Sequence, residues 1–207
     1  MASPIKTQIL KPAETDYPVL DVIKNRWSPR AFDTRLVEDD KLRSILEAAR
    51  WAASSMNTQP WRFIIATRDN AADFQKMLGI IKEGNQAWAK NAPVLLLAVA
   101  RDEHDGGYIN NHAAHDTGQA LAYLSLQATS FDLYIRMMGG FYPDKAREAY
   151  AIPDGYTPIT ALALGYLGSL EQLPEKLQDR EQSPRTRKPL SELVFSGIWD
   201  NTAELVR

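Results

Sequence analysis

The spacing of apolar and polar positions predicts helices and strands in alternation along most of the chain. From Leu42 onward, apolar residues recur at helical spacing, so the clearest helix is predicted over 39–53. Segment 93–100 has apolar residues on both faces and is predicted as a strand in the centre of its sheet. By the same criteria, further helices are predicted over 18–26, 70–81, 85–90, 108–129 and 143–152, and further strands over 61–67, 133–137, 160–166 and 193–198. This alternation predicts a layered α/β or α+β domain in which helices cover the sheet.

The composition limits the class of protein. A chain of 207 residues, 44% of them hydrophobic, is long enough for one ordinary domain with a sizeable core. Its formal net charge of −2 argues against a general polyanion-binding protein. The absence of cysteine excludes disulfides, thiolate catalysis and cysteine-bound zinc or iron–sulfur clusters, and it fits a reducing cytoplasm.

No feature of the sequence predicts targeting or membrane insertion. Residues 1–20 contain no apolar segment of the kind found in secretory signals. The longest apolar run, 92–100, is too short to cross a bilayer as a helix. We therefore expect a cytoplasmic protein without a membrane partner.

Changes in composition divide the chain into three parts. Residues 1–17 are broken by polar positions and are predicted to be an N-terminal arm, and residues 18–170 form the predicted core domain. Residues 171–207 are basic and punctuated by prolines in their first half, and they are predicted to be a C-terminal arm. An extended arm is unusual for a compact monomer and suggests that it wraps around a second copy of the chain.

Two basic clusters are candidates for a phosphate site. Arg26, Ser28 and Arg30 are tied to a Ser-Pro turn, and Arg185, Arg187 and Lys188 concentrate positive charge near the other end of the chain. If the clusters converge, their guanidiniums would give a phosphate bidentate, charge-assisted hydrogen bonds. The alternative is solvated surface charge. A nucleic-acid contact of the second cluster is a further alternative, which the net acidic charge disfavours.

A polar segment precedes the first predicted strand. Ser54, Ser55, Asn57 and Gln59 place four hydrogen-bonding side chains within six residues. Hydroxyls and carboxamides both donate and accept, which suits the edge of a heteroaromatic ring with alternating C=O and N–H groups. Ordinary turn residues are the alternative. Trp61, which follows, is expected to be a core residue at the start of a strand.

Two further pairs of residues give weaker indications of a ligand contact. Gly139 and Gly140 end a predicted strand, and they are either a turn that needs positive φ or a place where a ligand approaches backbone N–H groups. Asn85 and Gln86 are either the start of a helix or contacts to a ring.

The histidines give no site. His112, His115 and Asp116 would share one face of a helix, and His104 or Asp105 could complete a metal site with them. No glutamate accompanies them in a recognised metal-binding spacing, and solvated histidines at the start of a helix are the alternative. We assign no metal.

Taken in order, these motifs resemble the nitroreductase family of FMN enzymes. The motifs cover most of residues 18–199: Arg-x-Ser-x-Arg at 26–30, Ser-Ser-x-Asn-x-Gln-Pro-Trp at 54–61, Ala-Pro-Val-Leu-Leu at 92–96, Met-Gly-Gly-Phe and Pro-x-x-Ala-Arg within 138–147, Ala-Leu-Gly-Tyr at 163–166, and Arg-x-Arg-Lys-Pro at 185–189. The resemblance implies an α+β fold with a central, mostly antiparallel sheet flanked by helices. It also implies a homodimer with an exchanged C-terminal arm and two flavin sites at the interface.

The resemblance assigns cofactor-binding roles to residues from several segments. It implies phosphate and pyrimidine-edge contacts for Arg26, Trp27 through its backbone, Ser28 and Arg30, and phosphate contacts for Arg185 and Arg187. It implies ring contacts for Ser54, Ser55 and Asn57 of the partner chain, for the N–H groups of Gly139 and Gly140 near the flavin N5 atom, and for Asn85 and Gln86.

The implied activity is hydride transfer from NADH or NADPH through FMN to a small electron-poor acceptor, such as a nitroaromatic or a quinone. The flavin carries the chemistry, so no side chain is assigned a catalytic role. The alternative is a protein of the same fold that stores or senses FMN with little turnover. No ribose-reading acidic residue or 2′-phosphate arginine separates NADH from NADPH.

Two positions depart from the family pattern. Arg136 stands where a smaller or neutral side chain is expected, and it could form a salt bridge across the dimer or alter the charge preference for substrate. Gly165-Tyr166-Leu167 replaces the usual Gly-Tyr-Pro, which we expect to change a turn and not the chemistry.

Overall fold

The computed structural model describes residues 8–207 and shows an antiparallel sheet covered by helices. Residues 1–7 of the predicted N-terminal arm lie outside the described part. The strands are β1 (Trp61–Thr67), β2 (Val94–Arg101), β3 (Leu133–Met138) and β4 (Tyr156–Tyr166). The helices are α1 (Asp21–Asn25), α2 (Asp39–Arg50), α3 (Ala71–Gly79), α4 (Glu83–Ala89), α5 (Ala113–Ser130), α6 (Pro143–Tyr150) and α7 (Glu175–Gln182).

The four strands form one sheet in the order β1-β2-β4-β3, and every neighbouring pair is antiparallel. The predicted α+β fold with an antiparallel sheet is thus confirmed. The central position of β2 is confirmed as well, since it pairs with β1 on one side and β4 on the other. Trp61 is buried as the first residue of β1, as expected of a core residue at the start of a strand.

Alternate residues of β2 divide the core into two layers. Leu95 and Leu97 belong to a cluster that includes residues of α3, α4 and α6. Leu96 and Ala98 belong to a second cluster, which includes residues of α2 and α5. Helices therefore cover both faces of the sheet, which explains why this strand is apolar from Val94 to Ala100.

Two boundaries differ by four or five residues from the prediction. The helix predicted from residue 108 begins at Ala113, because the preceding residues form a tight hairpin. In that hairpin, Glu103 bridges to Ile109, and Gly106 and Gly107 have positive φ. β4 begins at Tyr156 instead of 160, and a bulge opposite β2 accommodates the proline within it.

The C-terminal region differs from the prediction in two ways. No strand forms over 193–198, where Phe195 makes an isolated bridge to Thr202 around a turn with Gly197 at a φ of +78°. A helix that the pattern did not predict, α7, precedes this region. No helix among residues 8–207 combines the length and the apolar character needed to span a membrane.

The segment around Arg30 is fixed against the end of β4. Phe32 pairs with Leu167 in an antiparallel bridge, and the N–H of Gly168 donates to the carbonyl of Ala31 at 2.8 Å. The first basic cluster therefore lies where β4 ends and β3 begins.

Candidate anion-binding site

A cavity of about 240 Å³ separates the Arg26–Arg30 loop from the C-terminal end of α7 and the residues that follow. The described part of its lining carries seven cationic side chains and one carboxylate, that of Glu181. The cations are Lys11, Arg26, Arg30, Arg136, Arg180, Arg185 and Arg187. Arg26, Ser28 and Arg30 of the first basic cluster thus converge with Arg185 and Arg187 of the second, as a shared phosphate site requires. Lys188 does not line the cavity and pairs with Glu192 instead.

Burial, and secondly the neighbouring cations, lower the pKa of three arginines of the cavity. Burial, and then proximity to Arg187, lowers the pKa of Arg26. Burial also lowers the pKa of Arg185, with Arg26 and Arg187 as further causes. The pKa of Arg136 falls to about 10, chiefly through burial and then through Arg30. All three stay charged at neutral pH, so a bound anion would offset unfavourable positive charge.

Strand β3 anchors the Arg26–Arg30 loop. The guanidinium of Arg136 donates to the carbonyl of Ser28 at 2.5 Å, and that of Arg26 donates to the Ser28 hydroxyl at 3.4 Å. Trp27 is buried, and the ammonium of Lys11 lies 5.1 Å from its ring centroid. The loop therefore presents its polar groups from a fixed backbone.

Arg185 and Glu181 also join distant parts of the chain around the cavity. Arg185 donates to the carbonyls of Lys11 and Lys24 at 2.6 and 2.9 Å. The Glu181 carboxylate accepts from the backbone N–H groups of Arg30 and Ala31 and pairs with the Arg30 guanidinium at 3.3 Å. Glu181 thereby holds the Arg30 end of the loop, and Arg185 holds the segments that precede the loop.

The polar segment 54–59 forms a second feature, and its backbone is strained. Met56, Asn57 and Gln59 have φ values of 52°, 55° and 46°, a region that non-glycine residues seldom adopt. The Ser54 hydroxyl accepts from the N–H of Gln59 at 3.0 Å, and buried Asp116 accepts from the N–H of Ser55 at 2.8 Å. Such strain persists where the surroundings determine the conformation, and it is concentrated at functional sites.

Segment 54–59 and the cationic cavity lie at opposite ends of the sheet within one chain. Trp61 pairs with Ala100 near the end of β2, whereas Val94 at its start pairs with Leu164 near the end of β4. The eight residues of β2 span about 25 Å. Accordingly, Ser54, Ser55 and Asn57 are not among the residues lining the cavity. A contribution of these residues to a shared site would have to come from a second copy.

The predicted ring-contact pairs meet each other. The carboxamide of Asn85 donates to the carbonyl of Gly140 at 3.2 Å, and a Cβ on Gly140 would lie 2.5 Å from its nitrogen. Neither Gly139 nor Gly140 has positive φ, so that alternative is wrong. A side chain at Gly140 would displace the carboxamide of Asn85, while the space beside Gly139 is open. The Gln86 amide is engaged with the carbonyl of Ile81 at 2.6 Å.

The position of Asn85 and Gln86 within α4 also differs from the prediction. The helix starts at Glu83, so Asn85 and Gln86 lie within its first turn and are not its first residues. Gly139 follows Arg136 by three residues, a distance of about 10 Å along the chain from the cavity lining. The edge strand β3 therefore connects the cationic cavity with the glycine pair.

The histidine cluster does not form a metal site in the described part of the chain. Among residues 8–207, no group of three or more His, Asp or Glu side chains is placed to hold a metal ion. Asp116 instead contacts Nδ1 of His115 at 2.9 Å and holds the backbone of Ser55.

Comparison with known proteins identifies the family. The model described as the nitroreductase family matches residues 23–166, more than half of the chain. The chain belongs to the nitroreductase family. In this nitroreductase-family chain, the match includes Arg26, the loop 54–59 and the glycine pair, and it ends before α7.

Individual relatives agree with that assignment. A crystal structure described as an oxidoreductase containing FMN is 38% identical, with a TM-score of 0.86, over 91% of this chain and 96% of the other. The NADH dehydrogenase of Thermus thermophilus is 30% identical over 188 residues, 74% of this chain and 90% of that protein. The major NAD(P)H-flavin oxidoreductase of Aliivibrio fischeri is 38% identical over 56 residues, 27% of this chain and 26% of that one.

Arg136, the departure from the family pattern, lies beside the cavity in this nitroreductase-family chain. Its guanidinium is 5.5 Å from the ring centroid of buried Trp88 and bonds to the Ser28 carbonyl. Three other lining residues, Lys11, Arg180 and Glu181, carried no recognisable signal in the sequence, although Arg180 lies in the basic stretch. Charge composition alone does not identify which members of such a stretch face a cavity.

Replacing Asp116 with alanine is expected to loosen the strained loop. The N–H of Ser55 would lose its acceptor, so we expect the free energy of unfolding to fall by about 1–2 kcal/mol in urea titrations. Asp116→Asn retains an oxygen acceptor and is the matched control, with a smaller loss. Equal stability of Asp116→Ala and the unmodified protein would contradict a clamping role for this carboxylate.

Proposed function

We propose that this protein is an FMN-dependent oxidoreductase that transfers hydride from NADH or NADPH to a small electron-poor acceptor, such as a nitroaromatic or a quinone. The observation that carries the proposal is the convergence of both basic clusters on one cavity of about 240 Å³. The description of a 38% identical structure as an FMN-containing oxidoreductase supports it.

The donor set of the cavity fits the phosphate of FMN. Arg26, Arg30, Arg185 and Arg187 would hold the phosphate, since planar guanidiniums make paired, charge-assisted bonds to its oxygens. The lowered pKa of Arg26 and of Arg185 supports this assignment, because a dianionic phosphate would relieve the repulsion that contributes to it.

The flavin ring would lie near the glycine pair. Gly139 leaves open space beside its backbone, and Asn85 fixes the carbonyl of Gly140. When bound, FMN supplies the hydride-accepting chemistry. The protein binds, orients and desolvates it, and the charge of Arg30 would favour an anionic reduced form if it lies near the pyrimidine edge.

The proposed assembly is a homodimer in which the partner's segment 54–59 completes each flavin site. Segment 54–59 is preorganised but remote from the cavity of its own chain, which supports a role in the second copy. Several large apolar side chains are exposed in the single chain, and contact with a partner would cover such residues. They are Leu20, Met56, Ile198, Trp199 and Leu205.

Purified protein tests the proposal directly. We expect a yellow dimer with one FMN per chain, measured by absorbance and analytical ultracentrifugation, that oxidises NADH or NADPH when menadione or a nitrofuran is supplied. Tight FMN binding without such turnover would instead support the alternative of a flavin-storing or flavin-sensing protein. A colourless protein that does not bind added FMN would refute both the oxidoreductase proposal and this alternative.

A further inference from the structure

Glu181 is an unexpected charge for an anion-binding cavity. Its side chain is 2% exposed, and it is the carboxylate among the described lining residues. A buried carboxylate repels an incoming phosphate and costs free energy to desolvate. The contacts of Glu181 should therefore explain why a carboxylate is buried at this position.

The contacts of Glu181 divide between its two oxygens. Oε1 accepts the backbone N–H groups of Arg30 and of Ala31, the second at 3.1 Å. Oε2 faces the Arg30 guanidinium at 3.3 Å. One oxygen thus fixes the backbone of the loop and the other contacts a side chain, so the two actions can be separated by mutation.

The Arg30 end of the loop needs such an anchor because the Arg136 guanidinium, which bonds to the Ser28 carbonyl, repels that of Arg30. Arg30 is close enough to Arg136 to contribute to the lowered pKa of that residue. Without ligand, this repulsion favours movement of Arg30 towards solvent. A carboxylate on α7 that holds two successive N–H groups opposes that movement and keeps the binding groups arranged in advance.

We propose that Glu181 is a positioning residue for the cofactor phosphate, acting through the backbone N–H groups of Arg30 and Ala31. The proposal rests on the function proposed above, in which this cavity holds FMN. It assigns to α7 the task of holding the Arg26–Arg30 loop ready for the phosphate group.

Two variants and two ligands test this role. Glu181→Ala removes both acceptors, whereas Glu181→Gln keeps an oxygen for the two N–H groups and loses the negative charge. Dissociation constants for FMN and for riboflavin, which lacks the phosphate, are measured with apoprotein by fluorescence quenching. We expect Glu181→Ala to weaken FMN binding by about tenfold or more and to leave riboflavin binding nearly unchanged. Glu181→Gln should stay within about threefold of the unmodified protein for FMN.

Hydrogen exchange of the peptide containing Arg30 and Ala31 gives a second readout that needs no flavin. Protection of these amides should fall in Glu181→Ala and persist in Glu181→Gln. The proposal is overturned if Glu181→Gln weakens FMN binding as much as Glu181→Ala does, because charge would then be the cause. It is also overturned if Glu181→Ala weakens FMN and riboflavin binding equally, or if it changes neither binding nor exchange.

The unmodified apoprotein tests the proposed function, and the Glu181 variants test the role of Glu181. If the unmodified apoprotein itself binds no FMN, the proposed function fails. If it binds FMN and the variants do not separate as described, the role of Glu181 fails alone. Should Glu181→Ala not fold, protection and FMN affinity in Glu181→Gln decide, and loss of either overturns the role.

Discussion

FMN binding is expected to weaken by about a hundredfold to ten-thousandfold when Arg26 and Arg30 are both replaced by alanine. Each guanidinium would contribute charge-assisted hydrogen bonds to the phosphate, worth about 1.5–3 kcal/mol apiece. Two such losses sum to about 3–6 kcal/mol, and each 1.4 kcal/mol corresponds to a factor of about ten in the dissociation constant. The cavity would also lose two of the cations that attract the anion.

Titration of apoprotein with FMN and riboflavin measures this effect. The loss should be confined to FMN, because riboflavin has no phosphate to be held. Arg43→Ala is the matched control, since this exposed arginine of α2 pairs with Asp39 and is not among the residues lining the cavity. If the double variant binds FMN as tightly as the control does, the proposed role of Arg26 and Arg30 in phosphate binding is wrong.

The sequence indicated that Arg26, Ser28 and Arg30 act together because their signals are local, and all three line the cavity. A Ser-Pro turn between two arginines restricts the backbone within five residues, and periodic apolar residues define the helices and strands that support it. Glu181 could not be found in this way. Its partners, Arg30 and Ala31, are 151 and 150 residues distant in sequence, so the fold alone brings them together.

The C-terminal region shows why apolar content can mislead. Helix α7 is almost entirely polar, and only half-buried Leu177 packs against the core, so no apolar period marks it. Segment 193–198 has a strand-like composition, yet Ile198 is exposed and Gly197 interrupts the backbone with positive φ. Apolar spacing detects only elements that bury an apolar face, so it misses α7 and wrongly predicts a strand over 193–198.

The glycine pair shows a similar limit. Two successive glycines after a strand indicate a turn with unusual φ, but the structure explains Gly140 by a side chain from α4. The approach of Asn85 depends on the packing of α4 against the end of β3, which is a tertiary contact. The interpretation of the pair as a turn with positive φ is therefore wrong, and its contact with a ligand stays a prediction.

Gly168→Ala is expected to destabilise the protein by about 3 kcal/mol, measured by urea unfolding. A Cβ at this buried position would lie 2.5 and 2.6 Å from the carbonyl carbon and oxygen of Phe32, with the side chain of Gln172 also too close. Those Phe32 atoms are backbone. They are held by the bridge to Leu167 and by the bond from the Gly168 N–H to Ala31. Movement of the Gln172 side chain alone would therefore not relieve the clash.

The same substitution should also disturb the cavity, because Phe32 follows Arg30 by two residues. Relief of the clash requires the backbone of Ala31 and Phe32 to shift, which would move the Arg26–Arg30 loop with it. Gly79→Ala is the control, since nothing lies within 4 Å of a Cβ there, and we expect a change within about 0.5 kcal/mol. If Gly168→Ala unfolds at the same urea concentration as Gly79→Ala, the packing of the loop against the end of β4 is looser than described. Loss of stability together with weakened FMN binding would link the end of the sheet to the proposed cofactor site.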